Sequence, residues 1–120
     1  MNTLEQIQQQ REALVNQMLQ ITSACAGSIN EQYLPKRKEG KPTGEKVGPY
    51  FVLTAKRKGR TVSKRLKGDK ALHQTQVAID NHHKLRRLMK EFEELTQQMG
   101  EITQQQSVSE EALKKGLKSR

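Results

Sequence analysis

Helix breakers divide this chain into three parts. All three prolines (35, 42 and 49) and six of the eight glycines lie between Gly27 and Gly68. The stretch before Gly27 has neither residue, and the stretch after Gly68 has no proline and no glycine until Gly100. Regular helix is excluded from the centre and permitted on both sides.

The first arm opens with Thr3-Leu4-Glu5-Gln6, a capping-box pattern. Leu4, Ile7, Arg11, Leu14, Met18, Ile21 and Cys25 then recur at alternating spacings of three and four. That is a heptad seam with one polar member, and it predicts a helix over 3–25. Arg11 either snorkels to water or meets an acid on a facing helix. In the second arm Asp69 is an N-cap candidate, and Leu85, Leu88, Phe92, Leu95, Met99 and Ile102 form a stronger seam. Upstream, Leu72, Thr75, Ala78, Ile79 and His82 are candidates for the inner face. Arg87 with Glu91, and Lys90 with Glu94, have the spacing of helical ion pairs. A helix over 69–105 follows, with a flexible polar tail over 106–120.

Residues 50–67 read as a basic β-hairpin. Two β-favouring runs flank Lys58-Gly59, whose glycine supports a two-residue turn. That turn pairs Arg57 with Arg60, Ala55 with Val62, Leu53 with Lys64 and Phe51 with Leu66. Phe51, Leu53, Ala55, Val62 and Leu66 then share an apolar face. Tyr50, Val52, Thr54, Lys56, Thr61, Ser63, Arg65 and Lys67 share the other. Such a hairpin is marginal alone and must dock its apolar face on the helical arms. The proline- and glycine-rich residues 26–49 read as loop.

The expected fold is therefore mainly α and a single domain over 1–120. Two long helices form an antiparallel coiled-coil hairpin, with the basic β-hairpin inserted between them. Only 32% of the residues are hydrophobic and 3% aromatic, which suits a thin helical core rather than a thick globular one. Apolar surface left on the longer seam predicts a homodimer through Leu85, Leu88, Phe92, Leu95, Met99 and Ile102. No run approaches the ~20 apolar residues that span a bilayer, and the Gln-rich N-terminus is unlike a signal peptide. The single cysteine, Cys25, forms no intramolecular disulfide, and a cytoplasmic location is the simplest expectation.

The net charge of +9 is concentrated in the centre. Residues 36–70 hold 13 Lys or Arg against three acids, while the remaining 85 residues are close to neutral. A local field of that sign suits a polyanion. The candidate nucleic-acid-binding residues are Lys36, Arg37, Lys38, Lys41, Lys46, Lys56, Arg57, Lys58, Arg60, Lys64, Arg65 and Lys67. Lys and Arg neutralise phosphates, and hydroxyls of Tyr50, Thr54, Thr61 and Ser63 can donate to phosphate or base edges. A two-stranded ribbon fits the DNA major groove, and the scarcity of aromatics argues against a single-strand stacking platform.

No catalytic constellation emerges, so no enzyme activity, cofactor or metal is expected. His82-His83 point about 100° apart on a helix, without further ligands at useful spacing. Residues 40–46 (Gly-Lys-Pro-Thr-Gly-Glu-Lys) lack the Gly-Lys-Ser/Thr ending of a phosphate loop.

Gly27-Ser28-Ile29, Gly40-Lys41-Pro42, Gly48-Pro49-Tyr50, Leu53-Thr54 and Gly59-Arg60-Thr61-Val62-Ser63 occur in this order. Over roughly residues 24–100 the chain resembles an uncharacterised family of short bacterial and archaeal proteins often found near transposases. Family members commonly carry a Cys-Gly-Lys-Pro-x-Cys-x-Cys segment. Its cysteine positions correspond here to Glu39, Gly44 and Lys46, so any metal-binding role is lost. The resemblance implies an association with DNA mobility. The leading expectation is a non-enzymatic nucleic-acid-binding accessory of a mobile element or phage, with DNA favoured over RNA. The alternative is a coiled-coil adaptor or inhibitor docking its basic face on an acidic partner, such as a transposase or nuclease subunit.

Overall fold

The structure, a computed structural model, describes residues 3–118. Five elements follow in order: α1 (Leu4–Leu19), β1 (Gly27–Lys38), β2 (Lys41–Arg57), β3 (Arg60–Leu66) and α2 (Gly68–Lys118). The strands form an antiparallel meander with β2 in the centre. This overturns the expected mainly helical coiled-coil hairpin: a three-stranded sheet, not a short insert, separates the helices. The chain divides into two compact units, Met1–Thr22 with Leu85–Arg120, and Ser23–Lys84. Helix α2 contributes to both.

In the helical unit, Thr3 caps α1. Its hydroxyl accepts from the Gln6 N–H at 3.2 Å, and its own N–H donates to Gln6 Oε1 at 3.0 Å. The helix ends at Leu19, well short of residue 25, so Ile21 and Cys25 leave the expected seam. The sequence after it, Ile21-Thr22-Ser23, is β-branched and hydroxyl-bearing and propagates helix weakly. Ile7, Leu14 and Leu88 are buried. Arg11 lies over the Phe92 ring, 4.8 Å from its centroid, and its Nη1 donates to Gln8 Oε1 at 3.0 Å. The same nitrogen is 3.0 Å from the Met99 sulfur. Arg11 meets no acid, and its Nε is buried with no hydrogen-bond partner.

In the sheet unit, both turns have positive φ at both central residues: Glu39 (53°) with Gly40 (77°), and Lys58 (53°) with Gly59 (78°). This is type I′ geometry, whose twist matches that of the flanking strands. The Lys58-Gly59 turn produces the predicted register, with Phe51 opposite Leu66 and Arg57 opposite Arg60. The Glu39-Gly40 turn creates a second hairpin where a loop was expected over 26–49. Gly27–Gln32 of β1 pairs with Tyr50–Ala55, and the ribbon continues outward to Lys38 opposite Lys41.

Proline and glycine are accommodated there because the ribbon is an edge structure. Strand β3 pairs only with residues 51–57, so Pro42 and Pro49 fall where β2 has one neighbour. Pro35 lies on the edge strand β1. Gly44 and Gly48 sit at two register shifts, opposite Pro35/Arg37 and Gln32/Leu34. A Cβ on Gly48 would lie 2.8 Å from the Gln32 carbonyl oxygen, and its φ of 146° adds strain for any other residue.

The sheet has two unlike faces. Ile29, Glu31 and Phe51 share a recess with Asp69, Leu72, His73 and Gln76 of α2, so this face is covered by helix. Ala55 and Leu66 are buried on it, Val62, expected to dock there, is instead 46% exposed, and Ile79 is buried on the helix. Leu72, Thr75, Ala78 and His82 are half-buried, in agreement with the expected inner face. The Cys25 N–H donates to the Ala78 carbonyl at 2.9 Å, fixing the lead-in to β1 on α2. Helix α2 continues through the expected tail as far as Lys118; residues 119–120 of that tail lie outside the described residues.

Candidate nucleic-acid interface

Charge follows the division into units. The sheet unit holds 14 of the 22 basic residues and five of the 13 acids, a net of +9. The helical unit holds eight of each and is neutral. All twelve candidate phosphate-binding cations are exposed. Among the described residues only Lys36 forms an ion pair, with Glu45 at 3.6 Å. Both of those side chains are largely solvated, so that pair holds Lys36 weakly.

The cations do not form the single patch that a loop beside a hairpin implied. The two turns lie at opposite ends of β2, whose 17 residues correspond to roughly 50 Å of strand. Lys36, Arg37, Lys38, Lys41 and Lys46 belong to the outer ribbon, where Glu39 and Glu45 offset part of their charge. Lys56, Arg57, Lys58 and Arg60 gather around the other turn, while Lys64 and Arg65 lie farther along β3, opposite the middle of β2, and Lys67 just past its end, with no acid among the seven. The outer ribbon is exposed on both faces. Thr43 anchors its distorted segment, donating from Oγ1 to the Lys36 carbonyl at 3.0 Å and accepting from the Glu45 N–H at 3.4 Å.

Between the ends lies the sheet face turned away from the α2-lined recess. Tyr50, Val52, Thr54 and Lys56 of β2 alternate onto it, Val52 being buried, with Thr61, Ser63 and Arg65 of β3 directly opposite. The Arg65 guanidinium stacks over the Tyr50 ring at 3.7 Å, which pre-positions a planar donor. Strand β1 adds Ser28, Asn30 and Gln32, which sequence reasoning missed. Asn30 Nδ2 donates to Thr54 Oγ1 at 3.5 Å. A signal for β1 was present. Lys38-Glu39-Gly40-Lys41 repeats the layout of Arg57-Lys58-Gly59-Arg60, a residue–Gly turn between two cations.

Other candidates are placed elsewhere. His82 is half-buried and His83 exposed, with ring centroids 6.0 Å apart. No group of three potential metal ligands occurs among the described residues. Cys25 is half-buried in the segment before β1. Of the expected dimer seam, Leu88 is buried, and Leu85, Phe92, Leu95, Met99 and Ile102 are half-buried. Phe92 and Met99 from that seam contact Arg11 of the same chain. Arg87–Glu91 and Lys90–Glu94 do not close into ion pairs; Glu93 Oε1 instead accepts from Gln97 Nε2 at 3.5 Å. Among the described residues no helix is long and apolar enough to cross a membrane. No protein-family model, curated protein or solved structure matches the chain.

Proposed function

We propose that this chain is a non-enzymatic protein that binds duplex DNA through its basic sheet unit. The observation that carries this reading is the partition of charge: the entire net +9 lies on the sheet unit, on exposed side chains almost free of ion pairs. Exposed Lys and Arg at the two turns and along β3 neutralise phosphates, and the sheet face between the turns offers amide, hydroxyl and guanidinium donors. DNA is favoured over RNA by shape. The B-form major groove is about 12 Å wide and admits a two-stranded ribbon, whereas the A-form major groove is too narrow to be read. The motif resemblance over residues 24–100 supports a role as accessory to a mobile element or phage.

The test is fluorescence anisotropy on a labelled duplex across a salt series. Replacing Arg57, Lys58 and Arg60 with Glu should abolish binding while far-UV circular dichroism is retained. Replacing them with Gln should make the slope of log K against log salt shallower by about 0.9 for each phosphate no longer neutralised. A wild-type chain that leaves duplex DNA unbound at low salt would overturn the proposal in favour of an adaptor for an acidic protein. Unchanged affinity in the Glu variant would remove the Lys58-Gly59 end from the binding surface.

A further inference from the structure

Helix α2 changes sign abruptly within the helical unit. Arg86, Arg87 and Lys90 are followed by Glu91, Glu93 and Glu94, three cations and then three anions in nine residues. Among the described residues none of the six forms an ion pair. On the flank that carries Met89, an antiparallel copy of the same helix, related by a two-fold axis between residues 89 and 90, sets Arg86 against Glu93 at both ends. Self-complementarity of this kind is what an isologous interface requires. A parallel copy would set like charges together.

The surface beside these blocks is apolar and open. Met18, Met89 and Phe92 line one recess with Arg86, Arg87, Lys90 and Glu93. Val15, Phe92 and Arg11 line a second with Gln8, Glu12 and Asn16. Phe92 belongs to both, so they form one groove between α1 and α2. Met89 is 55% exposed and Val15 36%. The unit has little else to stabilise it. Its buried residues are Ile7, Leu14 and Leu88, and its segments have only 22 and 36 residues. Below about 70–80 residues a single core supplies little stability, and a disulfide, a metal or association commonly adds to it. The chain's one cysteine lies outside this unit, and no group of potential metal ligands occurs among the described residues.

We infer that the occupant of this groove is a second copy of the chain, docked antiparallel along α2 with Arg86 of each copy against Glu93 of the other. The interface lies on the flank marked by Met89, Arg86 and Glu93. The Leu85–Ile102 seam remains engaged with α1 of its own chain. This inference does not depend on what the sheet unit binds.

Charge reversal tests it on the full chain by sedimentation equilibrium. One variant carries Arg86→Glu, Arg87→Glu and Lys90→Glu; the other carries Glu91→Lys, Glu93→Lys and Glu94→Lys. Each makes the block uniform in sign, and each alone should weaken self-association by at least about 100-fold, through like-charge juxtaposition. Mixed together, the two should form a 1:1 heterodimer. Met89→Lys, at a position too exposed to hold the fold, should also give a monomer and covers the case in which a triple variant fails to fold. A wild-type chain that is monomeric at about 100 µM, far above the micromolar range of modest interfaces, would overturn the inference. So would folded variants that still dimerise alone, or that fail to pair when mixed.

Discussion

Replacing Arg11 with Met should stabilise the helical unit, although it removes three visible interactions. The guanidinium over Phe92 contributes about 0.5–2 kcal/mol. Its bond to Gln8 contributes about 1 kcal/mol, and the approach to the Met99 sulfur adds little. Against these stands a buried Nε without an acceptor, which costs about 1–3 kcal/mol. The charge also lacks an anionic partner to offset its desolvation. Methionine has a similar helix propensity, and its thioether can lie on the same Phe92 ring. The balance favours the variant by about 1 kcal/mol, which for a unit of this size raises the melting temperature by roughly 4–8 °C. The assay is thermal unfolding followed at 222 nm, with protein concentration held fixed because association adds its own stabilisation. A melting temperature equal to or below wild type would show that stacking on Phe92 outweighs the unpaired nitrogen, and would refute the reasoning.

Thr3→Ala removes the hydroxyl that accepts from the Gln6 N–H and should cost about 1 kcal/mol, read as a lower midpoint in urea. Gly27→Val should be worse, about 2 kcal/mol or more, because its Cβ would lie 2.8 Å from the Thr54 carbonyl oxygen; loss of amide-exchange protection along β1 would localise the damage. Gly40→Val places a β-branched residue at a φ of 77° and should fray the outer ribbon while leaving Phe51 paired with Leu66, which amide exchange on β2 would distinguish.

How much of this was legible depended on whether local chemistry and tertiary context agreed. The register of the Lys58-Gly59 hairpin could be read to the residue, since a two-residue turn fixes it, but its faces only in part: Val62 of the apolar set is exposed and Val52 of the polar set is buried. The inner face of α2 from Leu72 to His82 was also legible. The outer ribbon was not. Pro35, Pro42 and Pro49 weigh against strand in any local reading, and only the one-neighbour position of those residues makes them harmless. The far end of α2 failed in the opposite sense. Val108 and Leu113 are 65% and 68% exposed, so no apolar stripe announces the helix. It continues from the packed region upstream, through Gln, Glu, Ala and Leu, which extend a helix readily once it is nucleated. The separation of the cations at the two turns was hidden by the same misreading. With residues 26–49 as loop, Lys38 and Lys41 could lie beside Arg57 and Arg60. As strand, they are separated by the length of β2.

Separating charge from assembly along one helix has a thermodynamic consequence. The neutral unit can associate without the mutual repulsion that would oppose pairing two surfaces of +9. Once it does, one particle carries two sheet units, and the second encounter with a polyanion becomes intramolecular. Effective concentrations for such tethered sites reach the millimolar range, which raises overall affinity with the same side chains at each site. A variant that dissolves the dimer through Arg86, Arg87 and Lys90 should therefore bind DNA more weakly. Measured per sheet unit, its dependence on salt should be unchanged, because the residues proposed to meet phosphate are untouched. A change at Arg57, Lys58 and Arg60 should do the reverse, altering the salt slope and leaving the sedimentation of the free protein as it was. The two classes of variant thus test the proposed DNA-binding surface and the inferred assembly surface by independent measurements.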